Sequence, residues 1–206
     1  MIKLIIFDLD DTLYNEREYV LSGFETVARY VSRKTGIDFQ KIYLILLESF
    51  ILYGRGKNFD YLLRRLSTRK KITVPELKKI YQEHLPKIAL SEKTIKMLKK
   101  LHNKYKLCLI TNGWAHVQKR KVESLELAKY FYLIIYTQEG GLMDFRKPHP
   151  KYFFEACSIF KVKPKEALVV GDDLTTDAAG ALAAGMRFYH INDLDDVMRL
   201  PKFKNL

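Results

Sequence analysis

Three carboxylates directly follow the first apolar stretch of the chain. Leu4 to Phe7 is an uninterrupted apolar run, which is typical of a strand buried on both faces of a parallel sheet. Asp8, Asp10 and Asp11 come immediately after it. Acids at this point are costly to desolvate unless a cation meets them. Because ligands bind at the carboxyl ends of strands in an open α/β sheet, we expect these acids to enter a cleft beside a cation.

The spacing of two of these acids suits phosphoryl transfer. Asp8 and Asp10 are two residues apart, so their side chains share a face of an extended chain. One carboxylate can attack and split a difficult substitution into two easier steps through an acyl phosphate. The second, when protonated, can donate its proton to the leaving oxygen. From this stretch alone, an acidic turn after a core strand remains the alternative interpretation.

Further polar residues follow later strands of the predicted sheet. Strand and helix patterns alternate from Ser91 onward, which is typical of a parallel, doubly wound sheet. Such a sheet brings the residues at its strand ends and in the following loops to one edge. The polar residues at these positions are Thr111, Lys147, Asp172, Asp173 and Asp177. Taken singly, each has a structural alternative, such as a strand end for Thr111, a surface charge for Lys147 or a helix cap for the aspartates.

The order of these residues along the chain resembles the haloacid dehalogenase-like (HAD) superfamily. Asp8 to Leu13 (DLDDTL) matches its first motif, in which two acids two residues apart precede Thr and Leu. The second motif is a Ser or Thr at a strand end, the third is a Lys, and the fourth has the pattern GDxxxxD. The matching residues are Thr111 in LITNG, Lys147 in KPHP, and Gly171, Asp172 and Asp177. With four motifs in the family's order, the resemblance extends over the whole chain.

The resemblance implies a Mg²⁺ site. Acids alone would repel a phosphate dianion, and a hard divalent cation with oxygen ligands removes that barrier. Asp8 and Asp172 would bind the ion by their side chains. Asp10 would bind it by its backbone carbonyl, which leaves its carboxyl free for acid–base work. Whether Asp173 or Asp177 also contacts the metal is left open.

The resemblance also implies a phosphatase that acts on a small phosphorylated metabolite. Its catalytic residues would be Asp8, Asp10, Thr111 and Lys147, with Asp8 as the nucleophile and Asp10 as acid and then base. The phosphoryl oxygens would be held by the Thr111 hydroxyl, the backbone amide of Asn112 and the Lys147 ammonium. A phosphomutase, which would use the same residues and return the phosphoryl group to its substrate, remains an alternative.

Two positions bear on the substrate. The dehalogenases of the superfamily lack an acid two residues after the nucleophile, because a halide leaves without a proton, so Asp10 favours phosphate esters over haloacids. Asp11 stands where phosphoglycolate phosphatases usually carry Gly. The stretches FDLDDTLY and LITNGW are more similar to nucleotidase-like and acylneuraminate-phosphatase-like members. This similarity does not identify a substrate.

The chain divides into two parts by its hydrophobic periodicity. Residues from about 15 to 90 show only helical spacing. This stretch looks like the helical cap of the subclass that includes phosphoglycolate phosphatase. We therefore expect an α/β core, a doubly wound parallel sheet formed by residues 1–14 and 91–206, with an inserted all-helical cap domain over 15–90. Within the cap, the loop Gly54–Asn58 either contacts an anionic substrate or is a solvated connection.

Composition fits a cytoplasmic enzyme. The chain has 206 residues, of which 48% are hydrophobic, enough for one large domain or a domain with an insert. No apolar run approaches the roughly 18–20 residues that span a bilayer, and no signal-peptide pattern precedes the first strand. Cys108 and Cys157 lie in apolar surroundings and are interpreted as reduced core residues. We expect no membrane partner, and the sequence does not fix an oligomeric state.

The formal net charge of +12 permits two interpretations. One is a basic nucleic-acid-binding protein on a catalytically inactive HAD fold. The other is a solvated basic surface around an anion-binding cleft. The Lys and Arg residues are scattered over predicted helices, as at Lys119 to Lys121, and form no known nucleic-acid-binding motif. We favour the second interpretation and do not expect a nucleic-acid partner.

Overall fold

The computed structural model of the chain describes residues 1–66, 72–141 and 144–191. It divides into two compact units, one formed by Met1–Glu16 with Ile88–Leu206 and the other by Arg17–Lys87. The last residues of the expected core, 192–206, lie outside the described residues. The assignment of the stretch 15–90 as a cap domain stays a prediction. In the described part of the chain, no helix is both long and apolar enough to cross a membrane.

The described part of the first unit contains a parallel sheet of five strands. Its strands are β1 (Leu4–Phe7), β2 (Lys106–Trp114), β3 (Leu133–Gln138), β4 (Ala167–Gly171) and β5 (Arg187–His190). They lie in the order β3-β2-β1-β4-β5, and every neighbouring pair is parallel. The order reverses at β1, so a crevice is expected at the carboxyl ends of β1 and its neighbours. The predicted doubly wound α/β fold is confirmed.

The described helices lie in both units. In chain order they are α1 (Glu16–Thr35), α2 (Phe39–Tyr53), α3 (Asn58–Leu66), α4 (Val74–Glu83), α5 (Glu92–His102), α6 (Ala115–Ser124), α7 (Lys151–Phe160) and α8 (Ala179–Ala183). A π-helical turn, Leu174–Ala178, leads directly into α8. Short 3₁₀ turns occur at Leu127–Lys129, Glu139–Gly141 and Pro164–Glu166.

The core of the first unit encloses β1. Each residue from Leu4 to Phe7 is at most 2% exposed, so the strand is buried on both faces as its apolar run predicts. Facing side chains of β2 and β4, including Ile110 and Val169, join the same hydrophobic cluster as Phe153 of α7. The acids that follow β1 are therefore attached to a strand that close packing holds rigidly.

Strand β2 is longer than the sequence predicts. We expected it to end at Thr111, with Asn112 and Gly113 in a loop. The strand instead continues to Trp114, which pairs with Gln138 of β3 after a register shift. A bulge of this kind re-aims side chains near a strand end. The predicted strand end is wrong because pairing with β3 resumes beyond the irregularity.

The helical unit has a hydrophobic core of its own. Val20, Phe24 and Leu46 are among the buried residues that pack together there. Its α4 begins with a capping box, in which the Thr73 side chain accepts from the Glu76 amide and the Glu76 side chain accepts from the Thr73 amide. The loop between α2 and α3 is held by Asn58, whose side chain accepts from the Ser49 hydroxyl at 2.7 Å and donates to the Gly54 carbonyl at 3.1 Å.

Candidate active site

The first acid of the site is fixed to two strands. Asp8 follows β1 directly, and its backbone amide donates to the Val170 carbonyl of β4 at 2.9 Å. The turn that follows contains Asp11 with a φ of 53°, a left-handed conformation that Gly, Asn and Asp adopt more readily than other residues. The Asp11 carboxylate then accepts from the Glu16 amide at 2.8 Å, at the start of α1. Asp11 therefore shapes the turn and caps a helix.

A buried lysine lies between two carboxylates. The Lys147 ammonium is 2.5 Å from Asp8 Oδ1 and 2.6 Å from Asp177 Oδ1. Its side chain is 3% exposed, so it is not a surface charge. The structure thus supplies the cation that the strand-end acids require. The sequence predicted Lys147 beside Asp8, but it did not identify Asp177 as a second ion-pair partner.

Asn112 holds the segment that carries this lysine. Its side-chain oxygen accepts from the Lys147 amide at 3.0 Å, and its side-chain nitrogen donates to the Lys147 carbonyl at 3.0 Å. The same oxygen also accepts from the Thr137 hydroxyl at 2.8 Å. The Asn112 side chain therefore positions the Lys147 backbone. The expected role of its backbone amide toward a phosphoryl group stays a prediction.

The Asp10 carboxyl accepts hydrogen bonds from several side chains, and its expected acid–base role stays a prediction. It accepts from the Lys121 ammonium at 2.7 and 2.9 Å, from the Tyr14 hydroxyl at 2.6 Å and from the Gln118 amide at 2.8 Å. Lys121 is 3.3 Å from Glu16 as well. The spacing of Asp8 and Asp10 placed both acids at the site. It gave no sign that Tyr14 and two side chains of α6 would donate to the second acid.

Thr111 lies in β2 where the register shift begins, and its side chain contacts Gln118. Its side chain is buried, and its Oγ1 lies 2.6 Å from the Gln118 side-chain amide and 3.3 Å from the Asn112 carbonyl oxygen. Gln118 thus contacts both Thr111, which lies in β2, and Asp10, which follows the neighbouring strand β1. Thr111 is brought to the same edge of the sheet as Asp10, as the parallel topology predicts.

Three carboxylates form a group that could hold a metal ion. Asp8, Asp172 and Asp177 each offer an oxygen, and these atoms lie within 4.8 Å of one another. Asp172 accepts from the Thr12 hydroxyl at 3.1 Å. The close approach of Asp177 to the end of β4 requires Gly171, because a Cβ there would lie 2.5 Å from the Asp177 Cγ. Hard oxygen donors in a cluster of this kind suit Mg²⁺.

The remaining acid of the fourth motif caps a turn. Asp173 Oδ1 accepts from the amides of Thr175 at 2.7 Å and Thr176 at 3.3 Å, at the start of the π-helical turn. Its own amide donates to Asp177 Oδ2 at 3.3 Å. Of the two open candidates, Asp177 belongs to the carboxylate group and Asp173 has the capping role.

The pKa values of Asp8 and Asp10 are shifted in opposite directions. Burial raises the pKa of Asp8 to about 7, and the carboxylates of Asp177 and Asp10 act in the same direction, against the lowering effect of Lys147. Burial also opposes ionisation of Asp10, but Lys121 and the donated hydrogen bonds outweigh it and lower the pKa of Asp10. The pKa of Lys147 is raised, since the two carboxylates outweigh the effect of its burial.

Sequence reasoning missed two residues of α6. We assigned Lys121 to a scattered basic surface, whereas its side chain is 3% exposed and ion-paired. Gln118 received no role and is 2% exposed. The available signal was helical spacing, because Val117, Gln118, Lys121 and Val122 all lie on the buried face of the helix. A polar pair three residues apart among valines, just after Thr111, indicates buried partners.

Known proteins are similar to this chain in sequence and in fold. A family model described as haloacid dehalogenase-like hydrolase matches residues 5–191. A glyceraldehyde 3-phosphate phosphatase of Pyrococcus furiosus is 34% identical over 90% of this chain and 79% of that relative. An N-acylneuraminate-9-phosphatase of Rattus norvegicus is 35% identical over 50% of this chain and 40% of its own length. A magnesium-bound HAD-hydrolase structure from Bacillus subtilis has a similar fold, with a TM-score of 0.65 and 18% identity over 98% of this chain and 99% of that chain.

Proposed function

This chain belongs to the haloacid dehalogenase-like hydrolases and is a phosphatase, and we propose that it hydrolyses a small phosphorylated metabolite with a bound Mg²⁺ ion. One observation carries the proposal. The Asp8 carboxylate lies 2.5 Å from a buried ammonium and within 4.8 Å of the carboxylates of Asp172 and Asp177. A nucleophile beside a fixed cation and a set of hard oxygen donors suits attack on a phosphorus that carries negative oxygens.

In the proposed reaction the Asp8 carboxylate attacks phosphorus in line with the leaving oxygen. The ester P–O bond breaks, a bond from phosphorus to the Asp8 oxygen forms, and Asp10 gives its proton to the leaving oxygen. Asp10 then takes a proton from the water that attacks the aspartyl-phosphate, which releases phosphate and restores Asp8. Thr111, the Asn112 amide and Lys147 would hold the phosphoryl oxygens throughout.

The lowered pKa of Asp10 bears on its two roles. The carboxylate form, which Lys121 favours, is the form needed to activate water. Proton donation to the leaving oxygen needs the protonated form. A phosphate dianion placed beside Asp10 raises its pKa, because a like charge disfavours ionisation. Substrate binding therefore favours the protonated form of Asp10, which acts as the acid. Release of the leaving group favours the carboxylate form, which acts as the base.

The donor set at this edge of the sheet fits Mg²⁺. Asp8 and Asp172 would hold the ion by their carboxylates and Asp10 by its backbone carbonyl, with Asp177 close by. When bound, the ion neutralises charge on the phosphoryl oxygens. In this arrangement Lys147 keeps its own contacts with Asp8 and Asp177 and orients the nucleophile.

Release of inorganic phosphate from a panel of phosphorylated metabolites tests the proposal. Glyceraldehyde 3-phosphate and N-acylneuraminate 9-phosphate belong in the panel, because relatives with those names match this chain. We expect the former to be the better substrate, since that relative matches nine-tenths of this chain. EDTA should lower turnover at least about a hundredfold, and MgCl₂ should restore it. A rearranged phosphate ester without free phosphate would identify a phosphomutase instead.

Magnesium should stabilise this protein more at high pH than at low pH. Burial raises the pKa of Asp8 from its ordinary value of 3.8 to about 7, so its ionisation destabilises the metal-free folded state as pH rises from about 4 to about 7. A metal ligand must be ionised, and cation binding offsets that loss. We expect MgCl₂ to raise Tm more at about pH 8 than at about pH 5.5 in thermal unfolding. An equal rise at both pH values would contradict this linkage.

A further inference from the structure

Helix α6 presents a buried amide to two functional side chains at once. Gln118 is 2% exposed, and its side-chain nitrogen lies 2.8 Å from Asp10 Oδ2 and 2.6 Å from Thr111 Oγ1. Asp10 follows β1 and Thr111 lies in β2, so one side chain connects residues more than a hundred positions apart in sequence. The Gln118 side chain lies close to the Gly113 backbone, because a Cβ built on Gly113 would be only 3.3 Å from the Gln118 Cδ. Gly113 also has a φ of 118°, which favours glycine.

The chemistry of the partners sets the direction of these hydrogen bonds. The Asp10 carboxylate is paired with Lys121 and can only accept, so the end of Gln118 that faces it must be the NH₂ group. An NH₂ group has two protons, and Asp10 and Thr111 take one each. The Thr111 oxygen therefore accepts from Gln118, and its own proton is directed elsewhere. Its remaining acceptor in the described structure, the Asn112 carbonyl oxygen, is 3.3 Å away, near the limit of a hydrogen bond.

We propose that Gln118 is a positioning residue that makes Thr111 a hydrogen-bond donor to the phosphoryl group and holds the Asp10 carboxyl in register with it. This inference rests on the proposed function, in which Thr111 contacts a phosphoryl oxygen. Without the amide, the Thr111 hydroxyl could turn its proton toward Asp10 or another acceptor. An oxygen that points its lone pairs at a phosphate dianion repels it instead of stabilising it.

Two substitutions separate this role from simple packing. Gln118→Met keeps the length of the side chain and removes both hydrogen bonds. Gln118→Glu keeps the size but replaces the donor by an acceptor, which competes for the Thr111 proton and repels the Asp10 carboxylate. We expect Gln118→Met to lower kcat/KM about 10- to 100-fold and Gln118→Glu to lower it further. Gln40→Met, on an exposed position of α2, is the matched control and should be unchanged.

A double-mutant cycle with Thr111→Val, measured both as kcat/KM and as the free energy of unfolding, separates coupling in catalysis from coupling in packing. If Gln118 acts largely through the Thr111 hydroxyl, its removal costs little once that hydroxyl is gone. The loss in Thr111→Val/Gln118→Met should then be at least about tenfold smaller than the product of the two single losses. Circular dichroism and thermal unfolding identify any variant that fails to fold, and Gln118→Glu serves as the second variant if Gln118→Met does not fold.

The outcomes distinguish this inference from the proposed function. Losses that multiply, or full activity in a folded Gln118→Met protein, overturn the positioning role while the phosphatase mechanism stands. A wild-type protein that releases no phosphate from any substrate overturns the proposed function itself. Greater loss with Gln118→Glu than with Gln118→Met, together with non-multiplying losses in the cycle, supports the donor role of Thr111.

Discussion

Replacing Asp8 with Asn should abolish turnover of an aryl phosphate, lowering kcat by at least about ten-thousandfold. The amide has nearly the same shape but cannot act as a carboxylate nucleophile, so no aspartyl-phosphate forms. The backbone amide of residue 8 should keep its hydrogen bond to the Val170 carbonyl, because the substitution changes only the side chain. Release of the aryl alcohol under saturating substrate and MgCl₂ measures the loss.

The control for this variant is an exposed acid of the helical unit. Asp60 lies in the first turn of α3, and Asp60→Asn should retain wild-type turnover. The wild-type protein, incubated briefly with a substrate labelled on its phosphoryl group and quenched with acid, should carry the labelled phosphoryl group covalently. Asp8→Asn should carry none. Full turnover by Asp8→Asn would remove the proposed nucleophile.

Replacing Lys147 with Met should damage both activity and stability. The change leaves Asp8 and Asp177 buried with no cation between them, and breaking a buried pair costs about 3–5 kcal/mol. Activity should fall about a hundred- to a thousandfold, because a fixed charge on the phosphoryl oxygens is lost. Urea unfolding of the metal-free protein measures the first effect, and phosphate release with MgCl₂ present measures the second.

A second substitution separates the two effects of losing Lys147. In Lys147→Met/Asp177→Asn the buried negative charge is reduced, so part of the stability should return while activity stays low. Lys165→Met, at an exposed position, should match wild type in both assays. Wild-type stability in the Lys147→Met single variant would show that the buried ammonium does not hold these carboxylates together.

The sequence predicts residues of the site that follow from strand ends. Asp8 and Asp172 could be placed together because parallel strands deliver their carboxyl ends to one edge, and an apolar run such as that of β1 marks a buried strand. The α/β fold was predicted from the alternation of strand and helix patterns after Ser91. Strand ends of a parallel sheet meet at one edge whatever path the chain takes between the strands, so small errors in element boundaries do not change either prediction.

Contacts made by helix side chains were beyond this reasoning. Lys121 looks like its neighbours Lys119 and Arg120 in sequence, and only the rotation of α6 shows that it alone of the three faces the interior. The extension of β2 through a bulge was also missed, since local sequence does not encode which partner residue resumes pairing. A helix rotation and a strand register are set by tertiary packing, and a motif does not report them.

The two hydrogen bonds between the Asn112 side chain and the Lys147 backbone have a consequence for protein engineering. Because the Asn112 side chain bonds both the amide and the carbonyl of Lys147, the Lys147 backbone is held by contacts that do not involve the preceding side chains. The exposed residues Asp144 and Arg146 could therefore be exchanged without loosening this attachment, whereas Phe145 packs against the hydrophobic core. Libraries that vary Asp144 and Arg146 while keeping Asn112, Phe145 and Lys147 should yield many folded, active clones.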